Sequence, residues 1–134
     1  MMKKQIFFLL MYIFCGLSAF GYEQYLSVEK TINGFNMTVP IDALFEGRCL
    51  SCSGQKLLLD IKEKISDNYV FIECYTDRKL FYNASWELAD VYAYDVVIFL
   101  IKSGINPRKL TYIGYGNMSV YSDEPNRIVF NVIK

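Results

Sequence analysis

The sequence contains no histidine. Serine–histidine and cysteine–histidine nucleophile pairs, histidine general bases and histidine-bearing zinc sites are therefore excluded. Neither sign of charge is in excess, because 14 Lys and Arg balance 14 Asp and Glu with no basic cluster along the chain. A nucleic-acid partner is not expected, since binding to phosphates needs a concentrated Lys and Arg stripe. The chain does have 53% hydrophobic residues among 134, which suits one domain with a well-filled core.

The longest apolar run lies at the amino terminus. Lys3 and Lys4 precede a run without any charge from Ile6 to Phe20, and small residues follow it closely. This pattern is typical of a secretory signal peptide, with residues 19–21 as the cleavage site. The sequence thus predicts a signal peptide over 1–21 and a single domain over 22–134.

Two alternatives to a cleaved signal peptide stay open. The run is shorter than the roughly 18 residues of a spanning helix, which disfavours an uncleaved membrane anchor without excluding it. Cys15, followed by Gly16, raises lipid attachment, although Phe14 is bulkier than lipoprotein processing normally accepts.

Three cysteines remain after residue 21, namely Cys49, Cys52 and Cys74. An oxidising compartment would favour one disulfide, and the odd number leaves at least one thiol over. Cys49 and Cys52 form a CxxC, which has two interpretations: a structural pair, either a local disulfide or two reduced buried thiols, or the redox pair of a thiol oxidoreductase. We favour the first, because the three prolines lie in turn contexts and no other redox signature accompanies the pair.

Hydrophobic periodicity predicts two helices and five strands. A hairpin over 26–39 turns at Asn33-Gly34, and the segment 69–76 reads as a central strand covered on both faces. Amphipathic spacing predicts helices over 53–65 and 84–102, and further strands are predicted over 110–116 and 127–133. This order indicates an α+β or α/β sandwich with both helices packed on one sheet that mixes parallel and antiparallel neighbours.

Several segments resemble the C-terminal domain family of outer-membrane protein A, which includes peptidoglycan-associated lipoproteins and the flagellar stator protein B. The matching segments, in order, are Ile-Glu-Cys-Tyr-Thr-Asp at 72–77, Ser-Trp-Glu-Leu-Ala-Asp at 85–90, Gly-Ile-Asn-Pro-Arg-Lys-Leu at 104–110, Gly-Tyr-Gly at 114–116 and Asn-Arg-Ile-Val at 126–129. The resemblance covers about residues 27–134 and implies the family's βαβαββ sandwich.

The resemblance also implies non-catalytic binding of the peptidoglycan stem peptide through its diaminopimelate. Asp77 occupies the position of the aspartate that pairs with the ligand's ammonium. Tyr92 stands where the family has the arginine that grips the ligand's carboxylate. Tyrosine supplies no charge, so the loss expected for a diaminopimelate ligand is about 1.5 to 3 kcal/mol. The neighbouring family positions at Ala89 and Ile128 have also lost their polar groups.

Two functional hypotheses follow from these substitutions. In the first, the domain meets a wall built on ornithine or lysine, so that Asp77 still binds an ammonium. In the second, the scaffold serves only as a protein interaction module, consistent with its many tyrosines, Tyr75, Tyr82, Tyr94, Tyr115 and Tyr121. The candidate ligand residues are Asp77, Tyr92, Thr76, Tyr75, Phe45, Arg78, Asn126 and Arg127.

The expected role is therefore that of an exported domain that binds peptidoglycan or an envelope protein and is either periplasmic or associated with the outer membrane. No enzymatic activity, cofactor or metal is expected. Arg78 could neutralise Asp77 or contact a ligand carboxylate in place of the absent arginine.

Overall fold

The computed structural model describes residues 26–79, 84–117 and 126–134. The predicted signal peptide, Cys15, Tyr82 and Tyr121 lie outside these residues. The elements in chain order are β1 (Ser27–Thr31), β2 (Gly34–Pro40), α1 (Ile41–Leu44), β3 (Phe45–Glu46), β4 (Cys49–Leu50), α2 (Cys52–Ile65), β5 (Tyr69–Tyr75), α3 (Ser85–Lys102), a 3₁₀ helix (Pro107–Lys109), β6 (Leu110–Gly116) and β7 (Arg127–Ile133).

Five strands form the main sheet in the order β1-β2-β7-β5-β6. All neighbours are antiparallel except β5 and β6, which run parallel. The crossover between these two parallel strands is the long helix α3, as a parallel pair requires. The predicted α+β class, with helices on a mixed sheet, is confirmed.

Helix α2 forms where the predicted apolar stripe lies. Ser51 caps its start, since the Ser51 hydroxyl accepts a hydrogen bond from the Gly54 amide at 2.9 Å. Its buried face carries the predicted residues Leu57, Leu58, Ile61 and Ile65. The helix begins at Cys52, one residue before the predicted start.

Burial along β5 corrects one prediction. Val70, Ile72 and Cys74 are at most 2% exposed, but the alternate side chains are half-buried, and that of Tyr69 is 59% exposed. The helices therefore cover only one face of the sheet. Aromatic side chains on the other face made the segment read as apolar throughout.

Helix α1 and the two-residue strands β3 and β4 were not predicted. Elements of two to four residues are too short to show a helical or strand period. The β3–β4 ribbon pairs Phe45 with Leu50 and Glu46 with Cys49, and it turns at Gly47 with a positive φ of 65°.

The strand directions give the sheet two distinct ends. Pro40 of β2 and Tyr75 of β5 both pair with Arg127, so β2 and β5 finish where β7 begins. Gly116 at the end of β6 lies against Trp86 at the start of α3. We call this end of the sheet the site end. Among the described residues, no helix is both long and apolar enough to cross a membrane.

Candidate functional site

Thr76 anchors the turn that follows β5 at the site end. Its amide donates to the Gly116 carbonyl at 2.8 Å, which continues the pairing of β5 with β6. Its side chain is fully buried and its hydroxyl donates to the Asn126 side-chain oxygen at 2.7 Å. The same hydroxyl accepts from the Arg78 amide at 3.1 Å. The backbone on both sides of Asp77 is thereby held.

Asn126 links three segments of the site end. Its side-chain oxygen also accepts from the Asp77 amide at 3.2 Å. Its backbone carbonyl accepts from the Ile41 amide at 2.9 Å, which ties the end of β2 to the start of β7. The Asp77 side chain is exposed on this fixed backbone, so its carboxylate faces solvent with little freedom in the chain that carries it.

Arg78 turns its guanidinium toward the helix side of the site end. Its Nη2 donates to both carboxylate oxygens of Asp42, at 2.9 and 3.0 Å. Burial favours the uncharged form of Arg78, but the hydrogen bonds and charge of Asp42, together with Tyr92, raise its pKa above the ordinary value. Arg78 is therefore a permanent cation beside the position in which the resemblance places the ligand-binding arginine.

Tyr92 lies at the core of this end and is 3% exposed. Its ring packs against the Phe45 ring with centroids 4.5 Å apart, and Phe45 is itself buried. Its hydroxyl donates to the Gly47 carbonyl at 3.2 Å. Tyr92 thus joins α3 to the β3–β4 ribbon, and its hydroxyl also interacts with Arg78.

The structure brings six of the eight candidate residues to one place. Phe45 packs directly on Tyr92, Tyr92 interacts electrostatically with Arg78, and the Arg78 amide joins them to the Thr76, Asp77 and Asn126 group. The exposed Asp77 carboxylate suits an ammonium group, and the Arg78 guanidinium supplies a cation next to it in sequence.

Tyr75 and Arg127 do not share that surface. Strand alternation places their side chains on the sheet face opposite the helices, because the neighbours Cys74, Thr76 and Ile128 point into the core. The Arg127 guanidinium stacks 4.0 Å above the Tyr75 ring, and Tyr75 stacks on Tyr115 with centroids 5.1 Å apart. The sheet itself separates these two residues from Tyr92.

The Glu73 carboxylate accepts hydrogen bonds beside the stacked side chains of Tyr75, Tyr115 and Arg127. The Tyr75 hydroxyl donates to Glu73 at 3.2 Å, and the Asn131 amide donates to the other Glu73 oxygen at 2.6 Å. Burial first, and then the charge of Glu73, raises the pKa of Tyr75 from its ordinary 10.0 to about 12.

This raised pKa makes stability depend on alkaline pH. The neutral Tyr75 stabilises the folded state fully below pH 10, and that contribution is lost as pH rises toward 12. Tyr75→Phe should therefore lose less stability across this range than the native protein does. Urea unfolding on both sides of the range measures the difference, and equal slopes for the two proteins would contradict the assignment.

The three described cysteines are free thiols in this structure. Cys49 begins β4 and Cys52 begins α2, and both are exposed. The disulfide predicted between them is not formed here, and it stays a prediction for an oxidising compartment. Cys74 is buried beneath the helices, and burial raises its thiol pKa, so it remains protonated and unreactive.

Sequence reasoning missed two members of the site. Asp42 precedes its partner Arg78 by 36 residues, and Gly47 precedes Tyr92 by 45. Only the Gly in Glu46-Gly47-Arg48 carried a local signal, that of a turn. No pattern in the chain points Asp42 toward an arginine in another element.

No protein-family model matches the chain, and no curated protein matches it in sequence. Solved structures do match its fold. The periplasmic domain of Helicobacter pylori MotB superposes with a TM-score of 0.72 at 20% identity, covering 81% of this chain and 82% of that domain. The cell wall anchor of the type VI secretion system from Pseudomonas aeruginosa gives 0.72 at 20%, covering 83% and 89%. An OmpA-like domain from Francisella tularensis gives 0.58 at 12%, covering 81% of each chain. The predicted OmpA-like fold is therefore confirmed.

Proposed function

We propose that this chain, whose fold is that of the OmpA-like domains, is an exported envelope domain that binds the peptidoglycan stem peptide without catalysis. The observation that carries the proposal is the exposed Asp77 carboxylate, held on a backbone that Thr76 and Asn126 fix from both sides. A carboxylate held in this way binds an ammonium group with little loss of conformational entropy. The Pseudomonas cell wall anchor, which has the same fold, supports a role at the wall.

The ligand that fits best is a stem peptide with a plain diamine, either ornithine or lysine. The buried Tyr92 contributes no charge, and its hydroxyl already donates to Gly47. The nearby Arg78 guanidinium already binds Asp42. A second ligand carboxylate, as in diaminopimelate, would have to compete with Asp42 for that cation. A diamine lacks this carboxylate and requires only Asp77.

Removing the Asp77 carboxylate tests the proposal. Asp77→Ala should weaken binding to sacculi by about 10- to 100-fold, because a charge-assisted hydrogen bond contributes about 1.5 to 3 kcal/mol. Co-sedimentation of residues 22–134 with lysine- or ornithine-type and diaminopimelate-type sacculi measures this effect. Asp67→Ala is the control, since it removes an exposed carboxylate at the other end of the sheet, where it pairs with Lys109.

A second variant tests whether the ligand is a plain diamine or diaminopimelate. Arg78→Gln should leave binding to lysine- or ornithine-type sacculi unchanged, because no ligand carboxylate is present there. If this variant loses binding to diaminopimelate-type sacculi that the native protein pellets with, Arg78 replaces the absent arginine and the diamine preference is wrong.

A protein interaction module is the second candidate function. Helix α3 exposes 54% of Trp86 and 48% of Tyr94, large aromatic surfaces of the kind that interfaces use. If the native protein stays in solution with both kinds of sacculi while Tyr92→Arg pellets with the diaminopimelate type, wall binding has been lost and this second function is favoured.

A further inference from the structure

The end of the sheet opposite the candidate site collects basic side chains from separate segments. We call it the basic end, and it comprises the hairpin tip 30–34, the segment 62–69, the segment 102–110 and residues 133–134. Its charged residues are Lys30, Lys62, Lys64, Lys102, Arg108, Lys109 and Lys134 against Glu63 and Asp67. The whole chain is neutral, so this excess of positive charge is local to one end.

Hydrogen bonds within the basic end compensate only part of its charge. Lys109 donates to the Asp67 carbonyl at 2.6 Å and pairs with the Asp67 carboxylate at 3.4 Å. Lys62 donates to the Ser103 carbonyl, which is neutral. Lys30, Lys64 and Lys134 line a shallow groove around Phe35, over whose ring the Lys134 ammonium lies at 5.5 Å.

Apolar side chains project from the same end. Ile32, in the turn of the β1–β2 hairpin, is 100% exposed. Tyr69 and Ile133 face each other across β5 and β7 and are 59% and 49% exposed. An isoleucine at a turn tip, with lysines and a tyrosine at the same end of the sheet, is the combination that interfacial membrane-binding surfaces use.

We propose that the basic end docks on the surface of an anionic lipid bilayer, with Ile32 inserted among the headgroups. Each lysine near such a surface is attracted to anionic headgroups, and Tyr69 suits the boundary between polar and apolar layers. A nucleic acid would also attract the lysines, but it offers nothing to the exposed Ile32. In this orientation the site end points away from the bilayer and lies about 20 Å from the basic end, the length of the strands.

Vesicle flotation of residues 22–134 tests this proposal. All buried core residues among those described lie between Met37 and Val132, and cooperative thermal unfolding checks that the protein used is folded. Vesicles are phosphatidylcholine alone, or phosphatidylcholine with about one-third phosphatidylglycerol. We expect binding to the anionic vesicles only, with an affinity that falls as salt rises.

A double lysine variant and an Ile32 variant distinguish the attraction of the lysine charges from the insertion of Ile32 among the headgroups. Lys30→Gln with Lys64→Gln should weaken binding about 25-fold, at about fivefold per lysine, and should flatten the salt dependence. The matched control, Lys56→Gln with Lys79→Gln, removes the same charge elsewhere and should leave binding unchanged. Ile32→Ser should weaken binding about tenfold without altering the salt dependence.

The proposal is overturned by any of three results. The first is that the native protein fails to float with anionic vesicles. The second is that both lysine pairs weaken binding equally. The third is that duplex DNA binds as tightly as the vesicles and Ile32→Ser alters binding to neither of them. None of these results bears on Asp77, so wall binding by the site end stands or falls separately.

Discussion

Replacing Gly114 with alanine is expected to lower the free energy of unfolding by about 3 kcal/mol, near the upper end for an overpacked site. A Cβ at Gly114 would lie 2.2 Å from the Asp90 amide nitrogen and 2.6 Å from the Ala89 carbonyl carbon. Both are backbone atoms of α3, so no rotamer change can relieve the clash. The helix must move off β6, and the start of α3 lies at the site end.

Gly47→Ala is the matched control for Gly114→Ala. A Cβ at Gly47 meets nothing within 4 Å, but φ there is +65°, so we expect a cost of about 1 kcal/mol from backbone strain alone. Urea unfolding followed by circular dichroism measures both variants. If Gly114→Ala costs no more than Gly47→Ala, the close approach of α3 to β6 is wrong.

Asn126→Ala is expected to lower the free energy of unfolding by about 1 to 3 kcal/mol. It removes the acceptor of the buried Thr76 hydroxyl and of the Asp77 amide, while leaving both donors in place. Because the Thr76-Asp77 turn then loses its support, binding to sacculi should weaken in the same variant although the Asp77 carboxylate is intact.

A double-mutant cycle with Thr76→Val isolates the hydrogen bond between Thr76 and Asn126. Valine keeps the shape of threonine and removes the hydroxyl. The double variant should therefore cost less than the sum of the two single variants. Strict additivity would show that the 2.7 Å contact between these side chains contributes nothing to stability.

Local patterns predicted the long elements well. The stripe over 57–65 placed α2 within one residue of its start, and alternation over 127–133 matched β7 at both ends. The hairpin was found from its Asn-Gly dipeptide, but its two turn residues are Ile32 and Asn33, one position before the predicted pair, and Gly34 already pairs with Thr31 in the strands. These succeed because a helix or strand that buries one face must repeat apolar residues at its own period.

Only part of the candidate site could be predicted from the sequence. The Thr76-Asp77 turn was identified from its motif, but the Asp42–Arg78 pair and the contact of Tyr92 with Gly47 join residues 36 and 45 positions apart. Tyr75, two positions before Asp77 in the same motif, was among the candidate ligand residues. Strand alternation puts its side chain on the other face of the sheet, where it stacks with Arg127.

The basic end likewise could not be predicted from the sequence and became visible only in the tertiary structure. The chain has no run of basic residues, and for that reason no nucleic-acid partner was expected. Folding brings one hairpin tip, two helix ends and the last strand to one place, and seven cations with them. The sequence by itself determined which segments become helices and strands, because that depends on side chains a few residues apart. Only the tertiary structure decided which side chains meet, because that depends on how distant segments pack on one sheet.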